Sequence, residues 1–256
     1  LSIGAPRGHA RAAFTLLDPA YPAAHLAAVI AITQPAAWLQ VAPVSADSPA
    51  PAVASWLNLS QPLSQPLLQA LSQGGCPALL PFAGQRARVH PVGPADLALL
   101  SFTSGSSGVP KAVEGVHGAL THFFPWVAQQ FGLSSQDRFA MLSGLAHDPL
   151  QRDMFNALWF GATLCIPHPD QFSPRALASW MQAQHISAVN LTPAMLQILC
   201  TDAIPLPQLQ HAFLIGDVLT RSDVAQLQAI APAARVVSYY GATETQRAFG
   251  YHIIEA

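Results

Sequence analysis

A strand that breaks into small hydroxyl residues and glycines and then closes on a lysine leaves few folds open to a chain. That pattern occupies residues 99–120, LLSFTSGSSGVPKAVEGVHGAL. Residues 99–103 have strand character, and Ser104-Gly105-Ser106-Ser107-Gly108 form a loop that closes on Val109-Pro110-Lys111. A helical pattern resumes near Gly118. Glycine lets successive backbone N–H groups turn toward one anion, the hydroxyls add donors, and lysine adds a compact positive charge. The loop has the chemistry of a phosphate cradle. Its spacing is not GxxxxGK[ST], in which the lysine directly follows a glycine, because two residues separate Gly108 from Lys111. A flexible Ser/Gly linker has similar composition, but a linker seldom follows an apolar strand and ends in Pro-Lys.

Around this loop the pattern alternates. A strand is predicted over 14–17, stopped by Asp18-Pro19, followed by a helix over 23–32 that Pro22 can open and a strand over 37–41. Nine prolines then punctuate residues 42–95, which read as a variable connection with one helical pattern at 63–71. Beyond Lys111, residues Leu120, Phe123, Phe124, Val127 and Phe131 have the spacing of a buried helix face. His117 and His122 flank it as capping or packing residues. A strand over 139–142 leads to Asp148-Pro149, read as an N-cap and first helical position. The helix that follows is expected to bury Met154, Phe155 and Leu158. Then come a strand over 162–166, a helix from Ser173-Pro174, a strand over 186–191 and a helix from Thr192-Pro193. A strand over 212–215, a helix over 221–230 and a strand over 236–239 complete the series. Strands separated by helices of about ten residues indicate βαβ units, hence an α/β fold with mostly parallel sheets covered by helices. Ligands in such sheets sit beyond the carboxyl ends of strands. Loops 104–111, 146–148, 216–217 and 240–244 all follow strands.

Charge excludes several functions. Only 9% of the 256 residues are charged and the net charge is −2, against about 25% charged in an average globular chain. Between Pro19 and Gln85 the only charged residue is Asp47. So sparse a surface suits a piece of a larger assembly, and it offers no footprint for nucleic acid or an anionic membrane. No apolar run approaches the ~18 residues of a membrane span, and the N-terminus lacks the basic head of a signal peptide. Cys76, Cys165 and Cys200 form no CxxC pair, which argues for reduced thiols and a cytoplasmic location. No GxGxxG follows an early strand, so a dinucleotide-dependent dehydrogenase is not indicated.

The last strand runs into Tyr239-Tyr240-Gly241-Ala242-Thr243-Glu244-Thr245. This segment presents an aromatic ring, a hydroxyl and a carboxylate, which a nucleotide can use as stacking surface, phosphate contact and magnesium ligand. Together, the Ser/Gly–Lys111 loop and YGATE resemble the signatures of the adenylate-forming (AMP-binding) superfamily. LLDPAYP resembles an element of nonribosomal peptide synthetase adenylation domains that precedes their variable region. The strings HDPLQRDMF, LTPAM and TETQRA further resemble the adenylation part of aminoadipate reductases. The resemblance covers most of the chain.

That resemblance implies the following. The reaction is attack of a carboxylate on the α-phosphorus of ATP, giving an acyl-adenylate and pyrophosphate. Thr103, Ser104, Gly105, Ser106, Ser107, Gly108 and Lys111 hold phosphates, Tyr240 stacks on adenine beside Gly241, and Gly216 and Asp217 line the other side of the base. Thr243 touches the α-phosphate, Glu244 holds Mg²⁺, and His147 lies against the reacting carboxylate. The substrate pocket is lined by Asp148, Pro149, Arg152, Asn190, Phe213, Ile215, Tyr239, Arg247 and Ala248. Arg152 lies four residues after Asp148, one helical turn on. If Arg152 and Arg247 both point inward, a second substrate carboxylate is the best partner for the excess positive charge. A dicarboxylic amino acid such as 2-aminoadipate is then expected. The implied partners are a phosphopantetheinyl carrier domain and other synthetase domains. Residues 1–95 are expected to hold part of a sheet and the Pro-rich connection, and 96–256 the nucleotide- and substrate-binding core. The family's hinge, ribose-binding aspartate and catalytic lysine are expected after residue 256, so that the chain reads as a partial large lobe without the small C-terminal lobe. The other reading of the sparse charge is a non-catalytic nucleotide-binding or docking lobe of a megasynthase.

Overall fold

Residues 2–4, 13–16, 18, 21–33, 37–38, 91–103, 109–144 and 147–255 are described by a computed structural model. The loop 104–108, Ala146 and the predicted helix at 63–71 lie outside the described residues. The chain separates into two compact units, Leu1–Gly118 and Ala119–Ala256.

In the first unit, β1 (Ser2–Gly4), β2 (Ala13–Thr15), β3 (Ala37–Trp38), β4 (Leu97–Thr103) and β5 (Lys111–Val116) form one sheet in the order β3-β1-β2-β4-β5. Helix α1 (Ala23–Thr33) buries Leu26 and Val29. Parallel pairing is confined here to β2 with β4, and the other three pairings are antiparallel. The expected parallel arrangement therefore does not extend to this sheet. The cause is a strand that sequence reading left unassigned: KAVEGV folds back on β4 as a hairpin, pairing Thr103 with Lys111. Its largely exposed pattern belongs to an antiparallel strand rather than to a buried parallel one. Because β4 pairs with β2, the hairpin belongs to the first unit. The two compact units part at Gly118.

The second unit begins within α2 (His117–Phe131) and continues through β6 (Arg138–Ala140), α3 (Leu150–Phe160), β7 (Thr163–Cys165), α4 (Pro174–Ala183), β8 (Ala188–Leu191), α5 (Pro193–Cys200), β9 (His211–Leu214), α6 (Arg221–Ile230), β10 (Arg235–Tyr240) and β11 (Gly250–Ile254). The sheet order is β11-β10-β9-β8-β6-β7. All pairings are parallel except β10 with β11. Strands AVNL and HAFL are buried along their whole length, as strands covered on both faces must be. One apolar cluster joins Leu177, Met181, Leu196, Leu199 and Leu227 from the helices to Val189, Leu214 and Val236 of the strands. A second joins Phe123, Phe124, Val127 and Phe131 of α2 to Phe139, Phe213, Val237 and Tyr239. The aromatic face of α2 is the one its spacing predicts.

Helix starts follow the local code at two places. Thr192 caps α5 by accepting from Met195 N–H at 3.2 Å, with Pro193 at the first position, and Thr220 and Asp223 form a reciprocal capping box on α6. At α3 the code fails. Pro149 already has helical backbone angles, no side chain caps the helix, and Asp148 is directed elsewhere. The expected apolar face fails too. Met154 and Phe155 are only half-buried and Leu158 is 67% exposed, while Gln151, Arg152, Asp153 and Asn156 are buried. A helix that buries its polar side has a polar site to line.

Candidate active site

Strands β6, β8, β9 and β10 run parallel, so the segments that follow them emerge at one edge of the second sheet. Those segments carry His147-Asp148, Thr192, Gly216-Asp217 and residues 241–245. Two glycines shape this edge. Gly216 has φ +102°, in the range that L side chains rarely adopt. At Gly241 a Cβ would lie 2.6 Å from the carbonyl oxygen of Arg247, so the turn can close on itself only without a side chain. Thr245 holds that turn: its hydroxyl lies 2.8 Å from the carbonyl oxygens of both Ala242 and Arg247 and accepts from Ala242 N–H at 3.0 Å. Phe249 N–H donates to the Tyr240 carbonyl at 2.7 Å, closing the loop at its base.

Beside this turn lies an open cleft of about 1000 Å³, lined in part by Gly216, Asp217, Ser238, Tyr240 and Gly241. The Tyr240 ring is 74% exposed, with Phe249 edge-on to it at 6.0 Å. One face of the ring is thus open to a flat ligand. Asp217 turns its carboxylate onto the N–H of Val218 at 2.7 Å. Glu244 is exposed, with Thr243 half-buried beside it. No three His, Cys, Asp or Glu side chains converge into a metal cluster among the described residues. A lone exposed carboxylate fits Mg²⁺, which is commonly held by one or two carboxylates, substrate phosphates and water.

Asp148, Arg152, Tyr239 and Arg247 lie near one another. The Thr243 hydroxyl donates to Asp148 at 3.2 Å, linking positions 95 residues apart. Arg152 is 2% exposed and Arg247 is 6% exposed. Each has a buried Nε with no hydrogen-bond partner among the described residues, as does the Tyr239 hydroxyl. Burial lowers the Arg152 pKa most, against the opposing carboxylates of Asp148 and Asp153. Arg247 is pushed down to about 10, chiefly by burial and then by the like charge of Arg152, with Asp148 opposing. The Arg247 guanidinium lies 5.8 Å above the Phe124 ring. Tyr239 stacks on Phe213 at 5.4 Å and 4°, and burial raises its hydroxyl pKa. Asn190 donates its amide N–H to Asp153 at 2.8 Å. Both buried guanidiniums face the half-buried Asp148, Arg152 also faces the buried Asp153, and the Nε of each and the Tyr239 hydroxyl are left with donors unused.

The sequence assigns Asp148, Pro149, Arg152, Asn190, Phe213, Ile215, Tyr239, Arg247 and Ala248 to one pocket, and all lie in the second unit. So do His147, Gly216, Asp217, Tyr240, Gly241, Thr243 and Glu244. His147 is exposed, its N–H donating to the Gly144 carbonyl at 3.0 Å. Thr103 and Lys111 belong to the first unit, paired in the β4–β5 hairpin. Two contributors were missed, Asp153 and Phe124. Polar residues at 152, 153 and 156 share one side of a helix, and that spacing was the available signal for Asp153.

Comparison with known proteins places this fold. The chain belongs to the AMP-binding enzyme family, whose model matches residues 9–254. It is 42% identical to the L-2-aminoadipate reductase large subunit of Eremothecium gossypii over 256 residues, covering 94% of this chain and 18% of that protein. It therefore spans less than a fifth of the length of that relative. Among solved structures it resembles the nonribosomal peptide synthetase FmoA3 in its AMPPNP-bound form, with a TM-score of 0.62 and 31% identity, covering 68% of this chain and 19% of that one. It shares the fold of holo-PA1221, a protein containing adenylation and PCP domains, with a TM-score of 0.74 at 21% identity over 95% of this chain and 39% of that one.

Proposed function

We propose that the chain is the large-lobe part of an adenylation domain that activates a dicarboxylic amino acid, 2-aminoadipate first, as its acyl-adenylate. The observation that carries the substrate is the pair of buried arginines around Asp148. Buried cations are costly to desolvate even with Asp148 and Asp153 opposing them, each Nε–H lacks a partner among the described residues, and Asp148 already accepts from Thr243. A substrate side-chain carboxylate can accept from the unpaired guanidinium N–H groups, and arginine can meet it in a bidentate geometry. Asp148 receives the substrate ammonium, and Tyr239 offers its unused hydroxyl.

In this reading adenine stacks on Tyr240, with Gly216 and Asp217 on its other side. Thr243 contacts the α-phosphate, and His147 lies against the carboxylate that attacks. Ser104–Gly108, Thr103 and Lys111 hold the departing pyrophosphate. Glu244 would hold Mg²⁺, which when bound neutralises phosphate charge. Such chemistry depends on in-line placement and charge neutralisation more than on a general base. The activated acyl group then passes to the thiol of a phosphopantetheinyl carrier domain in a larger cytoplasmic synthetase or reductase. The aminoadipate reductase name of the fungal relative and the carrier domain named with holo-PA1221 support these assignments. The test is ATP–pyrophosphate exchange by the full-length protein with 2-aminoadipate, glutamate, leucine and phenylalanine. Preference for the two dicarboxylic acids supports the reading, and preference for a neutral side chain ends it.

A further inference from the structure

Asp153 is wholly buried, at 0% exposure, and its partners come from two stretches outside its own helix. One carboxylate oxygen accepts from the main-chain N–H of Leu142 at 3.1 Å and of Ser143 at 3.0 Å. These residues follow β6 and begin the segment that leads to His147 and Asp148. The other oxygen accepts from the side-chain amide of Asn190, in β8, at 2.8 Å. Asp153 itself stands on α3 immediately after Arg152. These donors, and the Ser143 side chain that also hydrogen-bonds to it, are all neutral, and the opposing charge of Arg152 makes no hydrogen bond to the carboxylate among the described residues. That is an expensive way to fill core volume, because a buried charge gives up hydration that neutral packing never had. Its raised pKa, about 6 and due first to burial, reflects the same environment.

A carboxylate does here what an amide or apolar side chain cannot. It accepts from three N–H groups at once, two of them converging on a single oxygen. Through them it fixes the origin of the His147–Asp148 segment against the helix that carries Arg152 and the strand that carries Asn190. We infer that Asp153 is a positioning residue for the acid pocket, holding the Asp148 segment, Arg152 and Asn190 in one register so that the substrate ammonium and side-chain carboxylate are met together. This rests on the function proposed above and adds a residue that touches no substrate.

The experiment compares Asp153→Asn, Asn190→Asp and the double exchange Asp153→Asn/Asn190→Asp in the full-length protein. In Asp153→Asn, the charge is lost and an NH₂ group replaces one acceptor, so it meets a donor unless the Asn190 amide turns its oxygen toward it. In the double exchange, the amide oxygen at position 153 can accept from Leu142 and Ser143 while its NH₂ donates to the carboxylate at position 190. The hydrogen-bond set is then restored with its direction reversed. The expected result is a KM for the acid raised at least about tenfold in Asp153→Asn. KM for ATP and the rate at saturating acid should stay within about threefold, and the double exchange should recover the native KM for the acid. Native KM in Asp153→Asn overturns the inference, as does a parallel rise in both KM values. A double exchange that is unfolded, or folded with no recovery, overturns it as well. Should Asp153→Asn fail to fold, the double exchange alone decides. Native protein that exchanges no acid at all refutes the function, whereas exchange that is indifferent to Asp153 refutes only the positioning role.

Discussion

Replacing Arg152 by methionine should make the empty protein more stable and its substrate choice worse. The depression of Arg247 to about 10, more than two decades below its ordinary value, corresponds to about 3 kcal/mol of unfavourable surroundings. Burial is the first cause and the Arg152 charge the second, so removing that charge relieves only part, on the order of 1 kcal/mol. Arg152 also has its own burial to offset, with Nε unpartnered among the described residues. Methionine fills similar volume without a charge, and such exchanges of buried ionic groups for apolar ones are neutral or stabilising by about 1–4 kcal/mol. Asp148 is not orphaned, because it still faces Arg247 and accepts from Thr243, and Asp153 loses the opposing charge of Arg152 but keeps its three N–H donors. We therefore expect Arg152→Met to gain about 1–2 kcal/mol in urea unfolding followed by tryptophan fluorescence. In pyrophosphate exchange, kcat/KM for a dicarboxylic acid should fall about 30- to 1000-fold, the equivalent of about 2–4 kcal/mol for a buried charge-assisted contact. Leucine should be little affected. A variant that loses more than about 1 kcal/mol of stability and keeps the native order of acids would refute the reasoning and make Arg152 a structural partner of Asp148.

Three other outcomes are expected. Asp153 ordinarily titrates near 3.8 and is raised to about 6 in the fold, so the native state binds its proton more tightly than the unfolded chain does. Its contribution is fully present below pH 3.8 and is lost as pH rises through about 6, by up to about 3 kcal/mol. The unfolding free energy of native protein minus that of Asp153→Asn should fall over this window, and parallel curves would contradict the assignment. Glu244→Ala should lower exchange by about a hundredfold or more, with the Mg²⁺ concentration needed for half-maximal rate shifted upward, whereas near-normal exchange removes the metal role. Gly241→Ala, which sets a methyl 2.6 Å from the Arg247 carbonyl, should cost about 1–3 kcal/mol in thermal unfolding and impair acid exchange. An unaltered melting temperature would show that the turn can relax.

What the sequence determined by itself lies in local codes. Repeated apolar strands and intervening helices set the α/β class. The spacing of Phe123, Phe124, Val127 and Phe131 identified the buried face of α2, and Thr192-Pro193 marked the start of α5. The Tyr240–Glu244 turn carries its chemistry in consecutive residues, so a strand, a glycine and a hydroxyl–carboxylate pair could be read without coordinates. Three features were decided by tertiary structure. KAVEGV became a strand because β4 was there to pair with it, a contact its own half-polar pattern does not announce. Asp148 left the helix end that local rules assign to it because Thr243, 95 residues away, offers a hydroxyl. Helix α3 turned its polar side inward because the partners of Arg152 and Asp153 come from β8, the segment after β6 and the strand that ends at Tyr240. Periodicity reports which side of a helix is oily, and burial normally follows. Where a fold builds a polar pocket, burial follows the distant hydrogen-bond partners instead, and only the assembled sheet brings those together.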